Sequence, residues 1–147
     1  TMGEIRAKSR RMKQQFDIQL IVIDYLQLLT SGGKSIESRQ QEVSEFSRSI
    51  KLLAKELEIP IVAVAQLNRD SEKRNDKRPQ VADLRESGSL EQDADVVLLI
   101  HREDMFNENT EKQGMADIII GKQRSGPTGI VELAFQGHFS RFAEVAD

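Results

Sequence analysis

Apolar positions in this chain follow two rhythms. From Glu42 onward, Val43, Phe46, Ile50, Leu53 and Leu57 recur at intervals of 3, 4, 3 and 4, which is one face of a helix. Pro60 follows, beyond the last helical turn where it would cost a hydrogen bond. A second helix is predicted over residues 4–16. Ile5, Met12 and Phe16 give it a sparse apolar stripe, and Arg6, Lys8, Arg10, Arg11 and Lys13 make the rest a solvated basic face. Elsewhere the apolar residues form short unbroken runs rich in β-branched side chains. These predict buried strands over residues 18–24, 61–66, 95–101, 116–122 and 130–135. Gly126-Pro127-Thr128-Gly129 between the last two predicts a hairpin turn. Residues 30–38 are rich in Gly and Ser and read as a loop. Residues 69–78 hold five basic and three acidic side chains and read as an exposed, mobile loop.

Strand, helix, strand with strands buried on both faces implies parallel pairing through crossover helices, an α/β architecture. Ligands of such sheets sit beyond the carboxyl ends of the strands. Asp24, Gln66 and His101 are the polar residues at those ends.

Composition narrows the chemistry. With 147 residues and 38% hydrophobic content, the chain is long enough for one cored domain. No run approaches the roughly 18 apolar residues of a membrane span, and the N-terminal stretch lacks the apolar centre of a signal peptide. The absence of cysteine excludes disulfides, thiolate zinc sites and cysteine nucleophiles, and it suits a cytoplasmic protein. A net charge of −3 means that nucleic acid would have to be held by a local patch. His101 and His138 are the only histidines, and no further ligand is spaced with either for zinc.

Gly33-Lys34-Ser35 resembles the end of a phosphate-binding loop, G-x-x-x-x-G-K-[ST]. Leu28 stands where the first glycine is needed, so the match covers only three positions and reads as a surface loop. Asp24 is different. A carboxylate closing an apolar strand is how a Walker B residue faces the magnesium of a nucleoside triphosphate, although many strand ends carry Asp as a cap. Gln66 closes the next strand, where an amide can donate to a terminal phosphate or simply satisfy a loop. Lys122 and Arg124, one residue apart on an extended segment, project to one side and could reach a phosphate across a subunit boundary, or form a solvated basic hairpin. The block Asp83-Leu84-Arg85-Glu86-Ser87-Gly88-Ser89-Leu90-Glu91-Gln92-Asp93-Ala94-Asp95 is the most distinctive. Arg85 can donate to phosphate and Gly88 allows close backbone approach, while the flanking acids argue for few, placed donors over a diffuse basic patch.

These blocks together resemble the C-terminal ATPase domain of DnaB-type replicative DNA helicases. The resemblance rests on Ile21-Val22-Ile23-Asp24-Tyr25-Leu26-Gln27-Leu28, Val64-Ala65-Gln66-Leu67-Asn68-Arg69, the Asp83–Asp95 block, and Gly121-Lys122-Gln123-Arg124-Ser125-Gly126-Pro127-Thr128-Gly129, which occur in the family's order. The Asp83–Asp95 block disfavours recombinases and clock-type ATPases of the same fold. The resemblance implies a RecA-like core (a P-loop NTPase fold) with a mainly parallel sheet, crossover helices and a C-terminal β-hairpin. Residues 1–147 would form the part from Walker B onward, the P-loop, the catalytic glutamate and the N-terminal domain lying upstream. It implies ATP and Mg²⁺ as cofactors of the parent protein, with none held tightly by this piece. Hexameric rings, 5′→3′ translocation on single-stranded DNA, and a primase and a helicase loader as partners follow from the same family. By resemblance, Asp24 is the Walker B residue, reaching magnesium through water, and Gln66 is the γ-phosphate sensor. Lys122 and Arg124 are the trans-acting pair, with Arg124 the arginine finger, and Arg85, Glu86 and Gly88 form the DNA-backbone loop. The reading of another class is a non-catalytic RecA-like module that binds a protein through the helix at 42–57 or the hairpin.

Overall fold

The computed structural model describes residues 1–26, 36–67 and 73–145, with the side chains of 36–40 and 85–88 outside that description. Helix α1 spans Met2–Phe16. Thr1 and Glu4 form its capping box, and Asp17 ends it in the left-handed region at φ 46°. Strand β1 is Ile21–Ile23, helix α2 is Ile36–Leu57 and strand β2 is Ile61–Ala63. A 3₁₀ segment over Val81–Ser87 leads into a short helix, α3, at Gly88–Asp93. Four strands follow: β3 at Val96–His101, β4 at Met115–Gln123, β5 at Gly129–Gln136 and β6 at Arg141–Ala143. No helix among the described residues is long and apolar enough to cross a membrane.

The chain divides into two compact units, Thr1–Asn68 with Leu84–Ala94, and Arg69–Asp83 with Asp95–Asp147. In the first, β1 and β2 pair in parallel with Ile21 beside Ile61 and Ile23 beside Ala63, and α2 is the crossover between them. The predicted face of α2 is the buried one. Val43, Phe46, Ile50 and Leu53 are all buried, Leu53 completely. Ile23, Leu26 and Ile50 form a core against which Met2, Ile5, Ile61 and Leu90 pack, so α1 and α3 close over the same pair of strands. Lys8, Arg10 and Arg11 of the basic face of α1 are exposed, and Arg10 pairs at the surface with Glu56 of α2 through two hydrogen bonds of 2.5 and 2.9 Å.

The second unit is an antiparallel sheet in the order β3-β4-β5-β6. The predicted hairpin is present, with Ile120 beside Gly129 as its last pair. Parallel pairing does not extend to β3, which runs antiparallel to β4. The expected mainly parallel sheet is therefore parallel only at β1–β2 among the described residues. Nor is β3 buried on both faces. Val97, Leu99 and His101 are buried while Val96, Leu98 and Ile100 are exposed, the alternation of a sheet covered on one side. The loop expected at 30–38 lies outside the described residues up to 35, and from Ile36 the backbone is already helical.

Candidate nucleotide and subunit-contact site

Asp24 and Gln66 come to one edge of the first unit because β1 and β2 are parallel and in register. The ladder continues past the strands. The Val64 N–H donates to the Ile23 carbonyl and the Leu26 N–H to the Val64 carbonyl, both at 2.9 Å. Asp24 therefore sits one residue beyond the end of β1 and Gln66 three beyond the end of β2, at the carboxyl edge where open parallel sheets receive ligands. Both side chains are exposed, and the peptide joining Asp24 to Tyr25 is cis. No cluster of three or more His, Cys, Asp or Glu suited to a metal occurs among the described residues. A lone exposed carboxylate still fits magnesium that arrives with a nucleotide, since that ion keeps its waters and shares phosphate oxygens.

His101 is part of the second unit, whereas Asp24 and Gln66 are part of the first. It ends β3 in the antiparallel sheet of the second unit and is buried, opposite Asp117 in the register and stacked on Phe106 with ring centroids 6.0 Å apart. Its strand end is therefore the end of an antiparallel strand and not of the parallel pair.

Lys122 and Arg124 are placed by β3 more than by the hairpin turn. The β4–β5 ladder stops at Ile120, but β4 continues against β3 through Lys122 beside Val97 and Gln123 beside Val96. Between Ile120 and Lys122 the register slips by one residue, leaving Gly121 as a bulge opposite the Val97–Leu98 step. Glycine is required there, because a Cβ would lie 2.5 Å from Cγ2 of Val81 and 3.4 Å from Cδ1 of Leu99. The Arg124 N–H then donates to the Asp95 carbonyl at 2.9 Å, carrying the pairing one residue past the strand. Lys122 is half-buried and Arg124 exposed. The Arg124 guanidinium lies 3.6 Å from the Asp95 carboxylate.

The backbone of Arg85 and Glu86 lies in the 3₁₀ segment and Gly88 opens α3, but the side chains of Arg85 and Glu86 lie outside the described residues. What anchors this block can be seen at its far end. The buried Ser47 of α2 donates to the Asp93 carboxylate at 2.7 Å. The expected mobile loop at 69–78 lies outside the described residues up to 72, and its described remainder is partly tied down. Arg74 makes a forked pair with Asp83 at 2.6 and 2.8 Å, and Arg78 reaches the buried Asp117 at 2.9 Å. A charge count reads such a loop as solvated because these acceptors lie elsewhere in the chain.

Residues 1–144 match the family model of the DnaB-like helicase C terminal domain. The chain is 60% identical over 146 residues to the replicative DNA helicase DnaB of Leifsonia xyli subsp. xyli, covering 99% of this chain and 32% of that protein. It is 53% identical over 144 residues to the replicative DNA helicase DnaB of Geobacillus stearothermophilus, again covering 32% of it. The chain thus spans about a third of the length of these relatives. Among solved structures, one ATPase domain superposes with a TM-score of 0.92 at 39% identity, covering 99% of this chain and 52% of that one. A DnaB-like replicative helicase, whose structure describes its interactions with primase, superposes with a TM-score of 0.91 at 38% identity, covering 99% and 36%.

Proposed function

Since the chain belongs to the DnaB-like helicase C-terminal domain family, we propose that it is the distal part of the ATPase domain of a replicative helicase. The parent protein unwinds duplex DNA by ATP-driven 5′→3′ translocation on single-stranded DNA, as a ring of six subunits that meets primase and a loader. The observation that carries this reading is the shared carboxyl edge holding Asp24 and Gln66, within a chain whose family match runs from 1 to 144. The primase partner is supported by the likeness to a helicase whose structure includes that interaction.

In this reading residues 1–147 are one incomplete RecA-like domain. Asp24 would hold magnesium through water, and the ion would supply charge neutralisation to the phosphates of a bound nucleotide. The Gln66 amide donates to the terminal phosphate and passes its presence to the DNA-facing segment. Arg85, Glu86 and Gly88 form that segment, with Arg85 on backbone phosphate, a contact that holds DNA without reading sequence. Lys122 and Arg124 extend from the second unit toward a neighbouring subunit's nucleotide. There the Arg124 guanidinium meets charge developing on the γ-phosphate.

Mixed rings of the full-length protein test the assignment. Arg124→Ala should lower hydrolysis by roughly 10³- to 10⁵-fold while nucleotide binding stays near wild type. Mixing these subunits with Asp24→Ala subunits should give more activity than either variant alone, because some interfaces then pair an intact Asp24 with an intact Arg124. Co-assembled rings that stay as inactive as the separate variants would place Arg124's role within its own subunit.

A further inference from the structure

Asp95 meets Arg124 through both main chain and side chain. Asp95 immediately precedes β3 and Arg124 immediately follows β4, and the pairing of Val96 with Gln123 brings them together. The main chains are joined by the 2.9 Å bond from the Arg124 N–H to the Asp95 carbonyl. The side chains meet with Nη1 of Arg124 3.6 Å from Oδ1 of Asp95.

We propose that Asp95 is the positioning residue for Arg124, its carboxylate holding the guanidinium at the end of β4 until the phosphate charge of a neighbouring subunit takes it over. The proposal rests on the reading of Arg124 as a trans-acting group.

The strength of the pair suits that task. The two side chains are 52% and 58% exposed, and 3.6 Å exceeds hydrogen-bond length. Exposed pairs of this kind are weak and screened, so a γ-phosphate can displace the carboxylate cheaply. A buried, forked pair would trap the guanidinium instead. A weak hold still narrows the conformations of a long side chain, so less freedom is lost when it meets its target. The main-chain bond needs no particular side chain at 95, so what the carboxylate adds is its contact with the guanidinium.

A double-mutant cycle in the full-length helicase separates the possibilities. Asp95→Asn keeps the size and the main-chain bond and removes the charge. It should lower kcat for ATP hydrolysis by about 2- to 5-fold, the loss expected of one exposed ion pair, with KM for ATP unchanged. Asp95→Glu should recover most of the rate. In an Arg124→Ala background, Asp95→Asn should have no further effect. Should Asp95→Asn fail to assemble into rings, Asp95→Ser carries the same cycle. The proposal is overturned if neutralising Asp95 leaves kcat unchanged, raises it, or lowers it equally with and without Arg124. If Arg124→Ala alone keeps the wild-type rate, the trans-acting reading fails and the proposal with it. If Arg124→Ala is inactive but the Asp95 effect is independent of it, only the positioning role fails.

Discussion

Asp117 is buried with two basic side chains against its carboxyl group. Arg78 bonds one carboxylate oxygen at 2.9 Å, and Lys112 lies 3.4 Å from the other while also bonding Glu132. A buried carboxylate persists only with such partners. His101 stands opposite Asp117 in the β3–β4 register. Burial holds its imidazole below the ordinary pKa of 6.5, and the positive charge of Arg78 adds to this, against the opposing pull of Asp117, Glu103 and Asp76. The unfolded chain therefore takes up this proton first as the pH falls. The contribution of His101 to stability is complete above 6.5 and declines below it, until the lower folded pKa is reached. The urea midpoint should fall between about pH 7.5 and about pH 5.5, and His101→Gln should flatten that fall. A slope unaltered by His101→Gln would assign the proton uptake to another group. The sequence shows His101 only as a polar residue at a strand end, since nothing near it in the chain marks Asp117 as its neighbour.

The β3–β4 ladder makes the hairpin region more than a turn. Its bulge at Gly121 sets the direction of Lys122 and lets β4 run on against β3 after β5 has peeled away. Gly121→Ala would press a methyl group against Val81, 2.5 Å away. This overpacking should cost about 1–3 kcal/mol, read as a lower urea midpoint. Val81→Ala should restore part of the loss by making room, and an unchanged midpoint in Gly121→Ala would mean that Val81 yields freely. In the full-length protein the same change should lower kcat more than nucleotide affinity, because Lys122 moves with the bulge. The hairpin itself was legible in Gly126-Pro127-Thr128-Gly129, and α2 in its apolar spacing. The bulge was not, because a glycine inside an apolar run has the same local pattern whether or not a valine from another segment presses on it.

For the molecule as a whole, the 147 residues contain the strand-edge carboxylate and amide but no complete P-loop, with Leu28 in place of the first glycine. Backbone amides and the P-loop lysine supply most of the phosphate binding in such enzymes. The isolated chain should release no phosphate from ATP above background, with or without single-stranded DNA. Turnover that persists through further purification would refute this. Under the proposed function, Lys122 and Arg124 would act only in the assembled parent, and the isolated chain tests the phosphate-binding half of that reading alone.

The family blocks, the helix periods, the short apolar runs and the turn residues are all legible in the chain because each is set by neighbours within a few positions. Backbone geometry makes 3.6 and 2 the only useful repeats, and Gly and Pro punctuate them. Which strand pairs with which, and in what direction, depends on registers between distant segments. Tertiary packing therefore turned β3 antiparallel, buried His101 beside Asp117, and drew Arg78 out of an apparently solvated loop. It also brought Asp95 to Arg124. Asp95 looks like one more acidic residue at the end of an acidic block until pairing of Val96 with Gln123 carries it across the sheet, because a strand's partner is chosen by burial and hydrogen bonding that no local stretch of sequence contains.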